Sequence, residues 1–392
     1  MNVSAPLGPI ISEIGARTRP LRVLHVVQQL KSGGAETFVR GLTAGLREGG
    51  LDASILSVYA DGLSGAERAA LGVPVTSLDR RGRGDLVGFY PRLVAAVRAA
   101  RPDILHAHLH AGKYAGRIAA LVAGVPAIVF TEHGDEAGGA LRAAVNRMLH
   151  PRTTAFVVFS QAQRRAFALR ERVSLERVVV IPNGVARPPD ADRAGLRAEL
   201  RLPPEAFAYF VPARLTAQKN PSLVLRSFAL SFPSDECARL IFAGTGPLEA
   251  ALRAEATELG VAERVMFLGF RDDVPRLMRG MDAFVMASVW ESMPLALGEA
   301  MRAGLPVVTT PWEGYDTFVT DDITAVVAPD ATPAAFAQAL LRVRLPGVAA
   351  ALAERAREVA DQTFALETSV AAHAALYASL AVSSGHPSTG SG

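Results

Sequence analysis

Residues 288–310 read Ser288-Val-Trp-Glu-Ser-Met-Pro-Leu-Ala-Leu-Gly-Glu-Ala-Met-Arg-Ala-Gly-Leu-Pro-Val-Val-Thr-Thr310. A short apolar run ends just before this stretch at 283–286 and another falls within it at 307–309, which predicts one helix between two buried strands. Pro294 suits the first turn of that helix, where its missing N–H costs nothing. The unpaired N–H groups of such a turn form a ready site for an anion, and a diphosphate fits. Glu291 stands before the helix and Glu299 roughly two turns further along. A carboxylate at Glu299 can accept two hydrogen bonds from vicinal hydroxyls such as those of a ribose, while Glu291 lies nearer the phosphates. By themselves the two acids also fit a loop and a solvated helix face, because acids near a helix start are favoured by its dipole.

The pattern extends outward in both directions. Short β-rich runs alternate with Ala/Leu/Arg-rich helical stretches through nearly the whole chain, which argues for parallel sheets covered by helices on both faces. The class is α/β. Candidate strands in the first half are 22–27, 53–58, 75–78, 104–106, 127–131, 155–159 and 178–181; a second series follows at 208–213, 240–243, 265–268, 283–286, 307–309 and 325–327. Pro188-Pro189-Asp190 separates the two series and reads as a linker. The expected organisation is a loose leader over 1–20, a Rossmann-like domain over 21–187, a second over 188–362, a helix crossing back over 363–382, and a tail over 383–392. Helices are expected at 333–343, 348–360 and 365–380. Two doubly wound domains facing each other would bind ligands at the carboxyl ends of their strands, across a crevice.

A chain of 392 residues, half of them hydrophobic, suffices for two such cores. Its single cysteine, Cys237, excludes an intramolecular disulfide. With no long uninterrupted apolar run and no signal-peptide pattern, the cytoplasm is the expected compartment. The net charge of +3 conceals a division: residues 21–187 carry 22 basic against 13 acidic groups, and residues 188–392 carry 17 against 24. A +9 half beside a −7 half suits a first domain that meets an anionic acceptor or membrane surface, and equally suits attraction between the halves. Asp79-Arg-Arg-Gly-Arg83 with Phe89, Tyr90 and Arg92 is the candidate membrane-facing run, with an ordinary solvated loop as the other reading.

Several loops carry chemistry. Gly33 and Gly34, after the first strand, let backbone approach a ligand, and the spacing is not the dinucleotide fingerprint. Gly244-Thr-Gly246-Pro follows a second-domain strand. Arg214 and Lys219 lie on the loop after the first strand of the second domain. Only three lysines occur, at 31, 113 and 219, against 38 arginines, so a lysine retained at 219 suggests a need for a compact ammonium. Paired there, the two cations would neutralise the charge building on a leaving diphosphate. His106, His108 and His110 alternate near a strand end. A metal is one reading of them, but no acidic ligand stands at a familiar spacing, and no metal is expected. His106 is read as a buried strand histidine and His133, before Gly134, as a hydrogen-bonding partner of a ligand. Asp316 is left open.

Taken together, Gly33-Gly-Ala-Glu36, Glu132-His-Gly134, Ile181-Pro-Asn-Gly-Val185, Arg214 with Lys219, Gly244-Thr-Gly-Pro-Leu248 and Glu291-x7-Glu299 resemble glycosyltransferase family 4, of GT-B fold, over residues 21 to 380. The resemblance implies a retaining transfer of a hexose-type sugar from a nucleoside diphosphate, as a UDP- or GDP-sugar, to a sugar or lipid-linked hydroxyl acceptor. It implies no cofactor, no required metal and no nucleic-acid partner. Arg214 and Lys219 would bind the diphosphate and Glu299 the ribose. Glu291, with the backbone of Ser292, Met293, Pro294 and Leu295, would bind the sugar. Gly33, Gly34 and Gly244 would border the donor. His133 would sit at the reacting face, with His108 and Lys113 on the acceptor side. Where the family often has Gly-Phe, this chain has Ser292-Met293, and Glu313-Gly-Tyr-Asp316 replaces its usual Gly-Gly-x-x-Glu. The rival readings are a sugar-nucleotide epimerase on the same fold and a non-catalytic nucleotide-sugar-binding protein.

Overall fold

A computed structural model describes residues 19–31, 33–80, 85–134 and 140–383. The expected leader over 1–20 and tail over 383–392 therefore lie outside the described residues, apart from Arg19, Pro20 and Ser383. Arg19 donates to both oxygens of Asp103, at 2.8 and 2.6 Å.

The chain forms two compact units, one taking the described residues up to Gly184 and again from Leu366, the other Val185–Ala365. The first holds a seven-stranded parallel sheet: β1 Arg22–Val27, β2 Asp52–Ser57, β3 Val75–Ser77, β4 Ile104–His108, β5 Ala127–Thr131, β6 Ala155–Val158 and β7 Val178–Val180. Its spatial order is β3-β2-β1-β4-β5-β6-β7. The second holds β8 Phe207–Pro212, β9 Ala238–Ala243, β10 Val265–Phe267, β11 Ala283–Met286, β12 Val307–Thr309 and β13 Val326–Val327, in the order β10-β9-β8-β11-β12-β13.

Most of these strands are dominated by apolar residues because helices cover both faces of each sheet; Ala155–Val158 and Ala283–Met286 are buried at every residue. In both sheets the order reverses beside the first strand, between β1 and β4 and between β8 and β11. Crossovers leave these neighbours toward opposite faces, so the loops at their carboxyl ends part and leave room for a ligand. The expected strand ends differ from those observed by up to two residues. β9 begins two residues earlier than expected, at Ala238, and β4 continues two residues further, through His108, both of its histidines being buried in the sheet.

The last helix, Leu366–Ser383, belongs to the first unit. It lies on the helix Gly34–Glu48 along a seam of small residues: a methyl group added at Gly45 would stand 2.7 Å from Val370 Cγ2, and one at Gly41 would stand 3.0 Å from Leu366 Cδ2. Gly45→Val should therefore lower unfolding stability by about 1–3 kcal/mol, the usual cost of overpacking. Gly65→Ala, where nothing lies within 4 Å of the new methyl, should leave it unchanged or slightly raised. Thermal denaturation compares the two, and equal melting temperatures would refute the seam.

Candidate functional site

In the second unit, chemistry gathers where β8 and β11 end. The loop after β8 presents Arg214, exposed, its side chain making no hydrogen bond or ion pair among the described residues. Lys219 follows in the short turn Ala217–Lys219, and Asn220, in the left-handed region with φ 47°, leads into the helix Pro221–Ser231. The loop after β11 is stitched to this one. Val289 N donates to the Gln218 carbonyl at 2.8 Å, and Gln218 Nε2 donates to the Trp290 carbonyl at 3.1 Å. Across that seam Lys219 Nζ donates to Glu291, whose same oxygen accepts from Ser288 Oγ at 2.6 Å.

Pro294 is the N-cap of the helix Leu295–Arg302, one place before the first-turn position expected for it. No side chain caps this helix, so its start is available to an anion. Glu299 is accordingly in the second turn, closer to the start than two full turns. Although part of its surface is open, the surrounding protein pushes its carboxyl up to about 7, with burial as the cause. Met293 is buried, and Ser292 and Leu295 are partly so.

Gly244 and Gly246 bring a third loop onto the first. A methyl at Gly244 would stand 2.1 Å from the Ala213 carbonyl oxygen, and one at Gly246 would stand 2.3 Å from that of Leu215. Leu215 N donates to the Thr245 carbonyl at 3.0 Å. Both glycines thus let one turn lie directly against the loop that carries Arg214. Asp316 lies within the turn Tyr315–Thr317, which Gly314 caps.

In the first unit, Gly33 is the N-cap of Gly34–Glu48 with φ 124°. The Glu36 carboxylate folds back to where a Gly33 side chain would be, 2.4 Å from a notional Cβ. Lys113 Nζ donates to Glu132 at 3.1 Å, and both groups are largely enclosed. Burial raises the Glu132 carboxyl in spite of Lys113 and Arg170. Lys113, expected on the acceptor side, is therefore engaged within its own unit.

The histidines form a network that the sequence did not disclose. His108 is fully buried, and both of its nitrogens are engaged: Nε2 lies 2.9 Å from His25 Nδ1, and Nδ1 lies 3.1 Å from His133 Nε2. His106 is bonded to Tyr377 Oη at 2.6 Å and to Thr131 Oγ1 at 2.7 Å. Burial depresses all of these rings, His25 and His133 to about 3 and His106 and His108 well below the usual value, so they are neutral near pH 7. Ligand atoms of His25, His106 and His108 lie within 4.8 Å of one another, as a metal site would require. Five of their six ring nitrogens are nonetheless already hydrogen-bonded, leaving His25 Nε2 alone. This donor set is a hydrogen-bond network rather than a convergence of lone pairs. Nothing local in the chain marks His25, His373 and Tyr377, since only the pairing of β1 with β4 and the packing of the last helix bring them to His106.

The basic run changes character. Phe89 is fully buried and cannot rest on a membrane, and the Arg80 guanidinium lies over its ring at 4.6 Å. Arg81 and Arg83 lie outside the described residues. No helix among the described residues is long and apolar enough to cross a membrane.

Two Rossmann-like parallel sheets, the second carrying this cation-and-acid cluster, define a glycosyltransferase of GT-B fold. The pattern of Glycosyltransferase Family 4 matches residues 32–187 and that of Glycosyl transferases group 1 matches residues 192–359. The chain belongs to glycosyltransferase family 4. It is 27% identical over 265 residues to the UDP-Gal:alpha-D-GlcNAc-diphosphoundecaprenol alpha-1,3-galactosyltransferase of Escherichia coli, covering 64% of this chain and 68% of that protein. It is 27% identical over 300 residues to the putative glycosyltransferase EpsF of Bacillus subtilis, covering 73% and 78%. The crystal structure of Anabaena HepE in complex with UDP and glucose superposes with a TM-score of 0.79 at 22% identity, over 92% of this chain and 100% of that one, a likeness of fold.

Glu299 generates a pH signature. Its folded-state carboxyl, at about 7, holds a proton that the unfolded chain has already released near 4.5. Stability is therefore fully retained below pH 4.5 and falls as pH rises through about 7, because the carboxylate must then be buried charged. Glu299→Gln should melt higher than the wild type at pH 8 and alike at pH 4. Coincident melting curves at both values would show that Glu299 ionises freely.

Proposed function

We propose that the protein is a retaining glycosyltransferase that moves a hexose-type sugar from a nucleoside diphosphate, UDP or GDP, to a hydroxyl of a sugar or lipid-linked acceptor. Its setting is the assembly of cell-envelope polysaccharide or glycolipid in the cytoplasm, at the inner face of the membrane. The observation that carries this reading is the meeting, where β8 and β11 end, of the Lys219–Glu291 pair with the uncapped start of Leu295–Arg302. The carbohydrate and lipid-diphosphate chemistry named for the Escherichia coli relative supports the setting.

In this mechanism Arg214, Lys219 and the helix start hold the diphosphate, and Glu299 accepts from the ribose hydroxyls. Glu291 orients the sugar. The anomeric carbon–oxygen bond to the diphosphate breaks as the acceptor oxygen bonds the same face of that carbon, and the acceptor proton passes to the departing diphosphate oxygen. Positive groups fixed in advance stabilise the charge that collects on the leaving group, and positioning supplies most of the remainder. Lys219 would exchange part of its bond to Glu291 for the diphosphate. We assign His133 the part of a hydrogen-bonding partner of the substrate.

Two experiments test this reading. Lys219→Ala should lower kcat by about 10²–10³, the usual cost of removing one such donor, whereas Glu299→Ala should chiefly raise KM for the donor, because the ribose contact is alike in ground and transition states. Near-normal turnover by Lys219→Ala would remove the loop from the mechanism. In addition, turnover should survive a strong chelator, and proton NMR of the product should show the anomeric configuration of the donor. Inversion, or loss on chelation that a divalent ion restores, would overturn the retaining, metal-independent route.

A further inference from the structure

His25, His108 and His133 are joined in series by two hydrogen bonds, of 2.9 Å between His25 Nδ1 and His108 Nε2 and of 3.1 Å between His108 Nδ1 and His133 Nε2. A neutral imidazole carries one ring proton, so each bond has one donor and one acceptor, and fixing one ring fixes all three. Only two arrangements exist. In the first, His25 Nδ1–H donates to His108, His108 Nδ1–H donates to His133 Nε2, and the His133 proton is on Nδ1. In the second every direction is reversed, and His133 Nδ1 is a bare acceptor.

The inner end of the series decides between them. His25 Nε2 is buried and has no hydrogen-bond partner. The second arrangement would place an N–H there, and orphaned buried N–H groups are rare; the first leaves only a lone pair. At the outer end, His133 Nδ1 has no partner among the described residues, and the residue is partly exposed. We propose that His25 and His108 are positioning residues that hold His133 in the tautomer protonated on Nδ1, so that it meets the substrate as a neutral hydrogen-bond donor to a sugar oxygen and not as a base. This rests on the reading of His133 as substrate-facing. Which imidazole nitrogen carries the proton is set by the bond the other makes, and here that bond is set in turn by a ring one strand further in.

Selective 15N labelling of histidine in the full-length enzyme reads the tautomer directly. In the wild type His133 Nδ1 should give a pyrrole-type resonance and Nε2 a pyridine-type one, assigned by their loss in His133→Ala. His25→Asp sets a carboxylate oxygen near the position of Nδ1 that can only accept, so His108 must donate to it from Nε2; the His133 pattern should then invert and kcat should fall by about 10- to 100-fold, the scale on which outer groups that orient an imidazole act. KM for the nucleotide sugar should stay within about twofold, since His133 belongs to the first unit and the proposed donor groups to the second. His25→Asn, which offers an amide N–H near the position of Nδ1, should restore both pattern and kcat. A pyridine-type wild-type Nδ1 overturns the proposal even if neither His25 variant folds, as does His25→Asp with unchanged spectrum and turnover. Unchanged turnover in His133→Ala would instead remove the substrate-facing role itself, a separate outcome from failure of the relay.

Discussion

Reversal of strand order beside the first strand of each sheet is the constraint on which the rest depends. Where neighbouring parallel strands send their crossovers to opposite faces, the backbone groups at their carboxyl ends are not covered by a shared helix. At β8 and β11 this leaves two loops that must satisfy their polar groups with each other, and the Val289–Gln218 and Gln218–Trp290 bonds do so. Lys219 and Glu291 face one another as a result. Gly244 and Gly246 extend the same construction, because only a residue without a side chain lets the third loop lie against the carbonyls of Ala213 and Leu215.

The electrostatics of that place are asymmetric. Glu291 is held by an ammonium and a hydroxyl, whereas burial without a compensating cation raises Glu299. Two carboxyl groups eight residues apart are thus prepared for different work: one is a fixed anion beside a cation, the other a group near neutrality that hydroxyl donors can draw into its charged form. The exposed Arg214 guanidinium adds a positive group with no partner of its own among the described residues.

In the first unit the corresponding reversal, between β1 and β4, is filled by imidazoles instead of ions. His25 and His106 are partners in register, and His108 follows two residues on, on the same face. The final helix closes over this face with His373 and Tyr377, and it comes close enough because Gly41 and Gly45 give it room. A neutral hydrogen-bond network is compatible with such burial, since uncharged rings have a much smaller desolvation cost than ions would have.

The sequence by itself determined the α/β class and the approximate position of every strand of both sheets, because runs such as Ala155–Val158 and Ala283–Met286 are apolar throughout and are bounded by turn residues. It also disclosed the loops bearing Arg214, Lys219 and Glu291 and the helix bearing Glu299, whose residue types and spacing are local properties of the chain. Tertiary structure decided what those groups are attached to. The Lys219–Glu291 pair spans 72 residues, the contact of Gly244 with Ala213 joins two loops, and the His106–Tyr377 bond spans 271 residues. Strand register and helix packing fix all three, and neither leaves a periodic trace in the sequence. The same reason explains the basic run at Asp79, where a chain of arginines and aromatics looked like a surface until folding placed Phe89 inside and Arg80 across its face.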